Sequence, residues 1–307
     1  MRRGWWLVMA AVAATAAAAA APAAQAPKKI SVAHRGASAY APEHTLAAYR
    51  LALEQGADFV EQDLAVTSDG VLICLHDPSL QRTTDVETRF PDRSTEVVYQ
   101  GKRREVWLAN DFTLAEIKTL DAGSWFSPDF AAERVPTFDE AVALIRGKAG
   151  LYPELKTPEI YEGRDVDFVA LVEAALDRHR LRGPEADPKT PVILQTFGES
   201  TARALVERHI GVPVVLLVEP RPDFDPRQVV EAWKGVVSGF GPDKAIVAAH
   251  PQLVGLAHAA GLTVTPYTFR SAATPGFESV DAEMNHYLYT LGVDALFTDN
   301  PDRFPRR

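Results

Sequence analysis

The chain has 307 residues, 47% hydrophobic and 24% charged, which suits one large α/β domain or two small ones. A formal net charge of -9 argues against nucleic acid as a main partner, since that binding needs a basic surface. Cys74 is the only cysteine, so no internal disulfide can form; it lies in an apolar run and reads as a small core residue.

The N-terminus reads as a secretory signal. Met1-Arg-Arg-Gly is basic, Trp5 to Ala21 is apolar and rich in alanine, and small residues around Ala21-Pro-Ala23 suit signal peptidase. The run is short for a membrane span and Ala-rich rather than Leu-rich, so cleavage is expected over retention as an anchor. Arg2 and Arg3 alone are too little for the twin-arginine route. Residues 1–26 are therefore read as signal peptide and short leader, and 27–307 as the mature domain. The expected location is periplasmic or secreted, with no stable membrane insertion after cleavage.

Ile30–Ala33 reads as a strand ending in His34-Arg35-Gly36. Pro42-Glu-His-Thr45 leads into a helix in which Leu46, Tyr49 and Leu53 recur at helical spacing, and Gly56 stops it. Phe59–Leu64 is the second strand. Glu61 and Asp63, two apart, project from one face of it. Like charges side by side cost free energy, and a divalent cation, with its preference for oxygen ligands, would compensate them. Ser68-Asp69-Gly70 is a turn. Val71–Leu75 is an unbroken apolar run, as expected of a strand buried on both faces, and it delivers His76 and Asp77. Too few residues separate these two strands for a crossover helix. Extended, they can still cover about 20 Å, which allows the chain to return along the wall and breaks the regular repeat.

A long excursion from Pro78 to about Pro136 follows, with a helix at Leu114–Leu120; its size predicts a cap rather than a structureless loop. Pairing then resumes. Helix Phe138–Ile145 precedes strand Leu151–Leu155, which carries Glu154 and leads to Lys156. Helix Val166–His179 precedes strand Val192–Gln195, and helix Ser200–Arg208 precedes strand Val214–Val218 and Glu219. Helix Val229–Trp233 is followed by Val236–Phe240, the weakest strand signal. Helix Pro251–Ala260, strand Leu262–Tyr267, helix Ala282–Leu291 and strand Ala295–Thr298 complete the chain, with Asp299 after the last. Repeated strand–helix units predict a (β/α)8 barrel or a doubly wound sheet. No Gly-rich nucleotide loop follows the first strand, which weakens the second choice. There is one strand candidate too many for a barrel, and Val236–Phe240 is the one to set aside. In a barrel the functional residues gather where strands end, and here those positions hold a dense set of ionisable groups.

Glu61, Asp63 and Glu154 come from two strand ends and can form an all-oxygen site with open positions. Ca2+ is the preferred ion outside the cytoplasm and Mg2+ the alternative; zinc would want more His or Cys. His34 and His76 can serve as general base and general acid, because imidazole titrates near neutrality. Arg35 and Lys156 add positive charge that points to an anionic substrate, and phosphate suits the guanidinium fork. Together these predict phosphodiester cleavage. No Ser–His–Asp or Cys–His arrangement supplies an enzyme nucleophile, but a hydroxyl of the substrate can attack instead, with about 7–11 kcal/mol available from positioning.

His34-Arg-Gly-Ala, Pro42-Glu-His-Thr, Glu61-Gln-Asp, Thr67-Ser-Asp-Gly, His76-Asp and Tyr152-Pro-Glu-Leu-Lys resemble the glycerophosphodiester phosphodiesterase family. The resemblance runs from His34 to Phe297-Thr-Asp-Asn-Pro. Phe90-Pro-Asp-Arg, Asp111-Phe-Thr-Leu and Pro266-Tyr-Thr-Phe-Arg270 are similar to its periplasmic bacterial branch. The resemblance implies a TIM barrel with an inserted small subdomain after the third strand, roughly 78–136. It implies Glu61, Asp63 and Glu154 as metal ligands, His34 and His76 as the acid–base pair, and Arg35, Lys156 and Tyr267 against the substrate. The implied reaction turns a glycerophosphodiester into glycerol 3-phosphate and an alcohol, in two stages through a cyclic phosphate. The chain departs from many relatives at His44, where they carry Asn, and at Tyr267-Thr-Phe-Arg270, where they carry Trp-Thr-Val-Asn.

Two other readings compete. A lipid-cleaving enzyme, of the sphingomyelinase D or phospholipase C type, would need an apolar docking rim, and no long exposed aromatic run is visible. An exported binding protein would not need two imidazoles poised for proton transfer. No sequence feature specifies an oligomer.

Overall fold

Short apolar runs that end in charge become the staves of a parallel barrel. The computed structural model describes residues 28–99, 102–161 and 163–307; the expected signal peptide lies outside them. The strands are β1 (Ile30–Ala33), β2 (Phe59–Val66), β3 (Leu72–Cys74), β4 (Thr95–Tyr99), β5 (Lys102–Val106), β6 (Gly150–Leu155), β7 (Leu194–Thr196), β8 (Val214–Val218), β9 (Gly239–Pro242), β10 (Thr263–Val264) and β11 (Ala295–Thr298). The main sheet runs β10-β9-β8-β7-β6-β2-β1-β11, parallel at every step. Hydrogen bonds from Asp294 to Val264, from Phe297 to Pro266 and from Phe269 to Phe297 join its two ends. The architecture is a (β/α)8 TIM barrel.

Side chains fill the ring and the space around it. Phe59, Tyr152 and Phe297 pack edge to face inside, with ring centroids 5.9 and 5.1 Å apart, beside Val32 and Val215. Gly150 is required there, since a Cβ on it would lie 2.3 Å from the Phe59 ring. The helices cover the outer face of the strands, and several start at side-chain caps. Thr45 accepts from Ala48 N–H ahead of Leu46–Glu54, and Thr137 with Glu140 forms a reciprocal capping box ahead of Phe138–Ile145. Among the described residues no helix is long and apolar enough to cross a membrane.

The segment after β3 is an inserted subdomain with its own core. Ile73, Leu75, Leu80, Phe112, Ile117 and Leu120 are buried together in it, each contributing about 1.5–3 kcal/mol of burial. It carries the β4–β5 hairpin, an element the sequence pattern did not reveal. The Leu114–Leu120 helix is shorter than expected, ending at Ile117.

Two strand expectations change. Val236–Phe240 was the one to set aside, but β9 is a full member of the ring. The strand outside the ring is β3, which runs antiparallel to β2, with Leu64 opposite Cys74 and Val66 opposite Leu72. The chain therefore folds back as a hairpin rather than returning to the far end of the wall. The reversal has a use: Leu75 N–H bonds the carbonyl of Asp63 at 2.8 Å, so His76 returns to the level of the acidic residues on β2.

Candidate active site

The loop after β1 is tightly constrained. Arg35 and His44 both adopt left-handed backbone, with φ of 57° and 52°, a costly conformation for residues with a Cβ. His44 N–H donates to the Arg35 carbonyl at 3.0 Å, so the two positions hold each other. Gly36, at φ 88°, lies against the helix that follows; a Cβ there would be 2.7 Å from the Ala48 carbonyl carbon. The turn aims the Arg35 N–H at Glu61 Oε2, 2.9 Å away.

Glu61, Asp63 and Glu154 are all buried, with one carboxylate oxygen from each within 4.8 Å of the others. The register places Asp63 directly beside Glu154 across β2 and β6. Glu61 Oε1 accepts from Gln195 Nε2 at 2.9 Å. Asp63 Oδ2 accepts from His44 Nε2 at 2.8 Å and lies 3.4 Å from Arg35 Nε. Lys156 Nζ is 3.1 Å from Glu154 Oε1, an ion-pair contact without hydrogen-bond alignment, and that oxygen has no hydrogen-bond donor. Burial, then the neighbouring charge of Asp63, pushes the Glu154 carboxyl up to about 8 and raises Glu61 well above its usual range. This is the crowding of like charge expected of a site shaped for a cation.

His34 and His76 are both brought to this cavity, and each has a carboxylate behind it. His34 Nδ1 is 2.6 Å from Asp299 Oδ1, and its Nε2 is 3.8 Å from Glu61 Oε2. His76 Nδ1 is 2.6 Å from Asp77 Oδ1. A carboxylate accepting at Nδ1 keeps that proton in place and leaves Nε2 free to exchange one. Burial, then the charge of Arg35, lowers His34 to about 4, against the opposing pull of Asp299. Arg82, from the inserted subdomain, bonds both Glu43 and Asp77 and so links the barrel loop to the His76 side.

A cavity of about 180 Å³ joins these groups, lined also by Phe197, Leu217, Thr268 and Arg270. Tyr267 lines it with its ring, which packs edge to face on Phe197. Its hydroxyl donates to the Val218 carbonyl at 3.1 Å and is occupied there. Two larger surface clefts, of about 480 and 640 Å³, contain neither imidazole and none of the acidic cluster. All eight residues singled out from the sequence thus line one cavity. The sequence reading assigned no part to Asp299, Asp77, Gln195 or Arg82. Asp77 carried a signal in its place next to His76; Asp299 and Gln195 act across the ring and had none beyond a strand-end position, and Arg82 reaches in from the inserted subdomain with no signal at all.

Comparison with known proteins agrees with this geometry. The profile of the Glycerophosphoryl diester phosphodiesterase family matches residues 34–303. A glycerophosphodiester phosphodiesterase of Bacillus subtilis (strain 168) is 33% identical over 284 residues, covering 90% of this chain and 85% of its own. One from Caldanaerobacter subterraneus subsp. tengcongensis is 41% identical over 280 residues, covering 90% and 96%. An Oleispira antarctica phosphodiesterase solved in complex with the product sn-glycerol-3-phosphate superposes with a TM-score of 0.68 at 27% identity, covering 90% of this chain and 95% of that one.

Proposed function

The chain belongs to the glycerophosphoryl diester phosphodiesterase family, and from that premise we propose how its cavity hydrolyses glycerophosphodiesters. The activity is that of a glycerophosphodiester phosphodiesterase, a phosphoric diester hydrolase. The observation that carries the detailed reading is the meeting, in one cavity, of three buried carboxylates, two carboxylate-backed imidazoles and the side chains of Arg35 and Lys156.

The residues fit a hard divalent cation. The donors are all oxygen, they are crowded and buried, and one of them, Glu154 Oε1, lacks a hydrogen-bond donor. Glu61, Asp63 and Glu154 would hold it, with Ca2+ the preferred ion and Mg2+ the alternative. When bound, the cation supplies Lewis-acid polarisation of the phosphoryl oxygens.

The chain's own groups account for binding and proton movement. Arg35 and Lys156 offset the phosphate charge, and the Tyr267 ring forms a wall for the substrate. In the first stage one of His34 and His76 takes the proton of the glycerol 2-hydroxyl. That oxygen bonds to phosphorus, the bond to the alcohol breaks, and the other imidazole gives the alcohol its proton. In the second stage water adds to the cyclic phosphate, the bond to the 2-oxygen breaks, and glycerol 3-phosphate forms. Proton transfers in the reverse sense return both imidazoles to their starting states.

Small water-soluble diesters suit the surface. Among the described residues the exposed large hydrophobic side chains are Tyr40, Trp125 and Phe126, too few for a membrane-docking rim. The protein is read as exported to the periplasm or medium, with residues 1–26 removed and 78–136 serving as the cap of one barrel domain. A coupled glycerol 3-phosphate assay on glycerophosphocholine, with and without chelator, tests the reading. Product should appear, vanish on chelation and return with Ca2+ or Mg2+. Binding without turnover would instead favour the exported binding protein, and cleavage confined to lipid vesicles the lipid-cleaving enzyme.

A further inference from the structure

We propose that His44 and Tyr49 form a positioning relay that fixes the Asp63 carboxylate for cation binding. The inference rests on the metal-site reading above. Tyr49 Oη is 2.8 Å from His44 Nδ1, and His44 Nε2 is 2.8 Å from Asp63 Oδ2. His44, Tyr49 and Asp63 are 3%, 0% and 1% exposed, so water cannot substitute for a missing partner. The phenol donates to Nδ1, which leaves the imidazole proton on Nε2 and aims it at the carboxylate. The Asp63 N–H also approaches Nε2, at 3.4 Å, but the 2.8 Å contact sets the tautomer.

The relay has a clear mechanical purpose. Asp63 Oδ2 has one close donor, His44, with Arg35 Nε further away at 3.4 Å. Holding Oδ2 fixes the rotation of the carboxylate and leaves Oδ1 for the cluster. His44 reaches Asp63 only because its backbone is held left-handed, tied to Arg35 on one side and to the helix cap Thr45 on the other. Strain maintained by its surroundings is characteristic of functional positions. His44 does not line the reaction cavity, so its part is played through Asp63.

Calorimetric titration of the chelated full-length protein with Ca2+ alone reads the effect directly. Partners behind a metal ligand are typically worth 10–100-fold in affinity. His44→Asn tolerates the left-handed backbone but falls a bond short of Asp63; it should weaken Ca2+ binding by about 10–100-fold. Tyr49→Phe should show the lower end of that range. His44→Gln, which places an amide N–H at about the reach of Nε2, should restore affinity to within a few-fold of wild type. At saturating Ca2+ the Asn variant should regain near-native kcat and KM, with only its Ca2+ activation constant raised. Melting of the chelated proteins separates folding from positioning. Wild-type Ca2+ affinity in a folded His44→Asn protein, or equal losses in the Asn and Gln variants, would overturn the relay. Failure of the unmutated protein to bind either Ca2+ or Mg2+ would overturn the metal reading first, and the relay with it.

Discussion

Replacing Asp299 by Asn removes the charge behind His34 and, with it, the ion pair to Arg270 at 3.5 Å. The Asp299 side chain bonds His34 at 2.6 Å, with Ser38 and Arg270 nearby, and has no bond to the acidic cluster. The amide keeps the shape and still offers an oxygen acceptor. What is lost is the difference between a charge-assisted hydrogen bond, about 1.5–3 kcal/mol, and a neutral one of about 1 kcal/mol. That leaves about 0.5–2 kcal/mol of missing stabilisation for the imidazolium formed during proton transfer. At about 1.4 kcal/mol per factor of ten, kcat should fall about 2–30-fold, with KM and Ca2+ affinity little changed. Release of glycerol 3-phosphate from glycerophosphocholine at saturating Ca2+ measures it. Asp77→Asn is the internal control. The His76 and Asp77 side chains are 27% and 28% exposed, against 11% and 16% for His34 and Asp299, so water screens the lost charge more and the fall should be smaller. A kcat for Asp299→Asn within twofold of wild type, or a larger fall for Asp77→Asn, would refute the reasoning.

The other expectations concern the cation, the substrate hydroxyl and the fold. Glu154→Gln should lose divalent-cation binding by calorimetry and most of kcat while remaining folded, because it removes one of three convergent carboxylates. A 2-deoxy analogue of glycerophosphocholine forfeits a positioning advantage of up to about 7–11 kcal/mol; a third of that lowers kcat/KM about 50–400-fold, and equal values for the two compounds would point to direct attack by water. Gly36→Ala should lower the melting temperature sharply, since the added methyl meets the Ala48 backbone at 2.7 Å in a left-handed conformation. Asp58 bonds Lys28, Ser31 and Arg306, which outweigh burial and lower its pKa. Its contribution is present above the unfolded value and lost as pH falls through the folded one. Asp58→Asn should thus melt lower than wild type at pH 7, with the gap closing below about pH 4.

The places where sequence failed to predict structure share a physical cause. The rim residues were legible because a buried strand is a short apolar run and its end is where polarity begins, so Glu61, Glu154 and the residues after β1 and β11 announced their own positions. β9 was undervalued because Gly239-Phe-Gly-Pro242 has poor strand propensity. Its glycines are demanded by packing: a Cβ on Gly239 would lie 2.1 Å from Thr263 Oγ1, and one on Gly241 2.5 Å from Leu217. Close approach between neighbouring staves overrode local preference. The orientation of β3 was lost for a related reason, since an apolar run has the same composition in either direction. Partners were hidden more deeply still. His34 finds Asp299 only because β1 and β11 are neighbours in the closed ring, with Ala33 opposite Thr298; Gln195 finds Glu61 across β6. A strand end locates a residue along the barrel axis, whereas its partner depends on position around the ring, which is fixed only when the ring closes. The two cavity imidazoles could therefore be placed at the rim from the sequence, but the carboxylate that bonds His34 could be identified only from the fold.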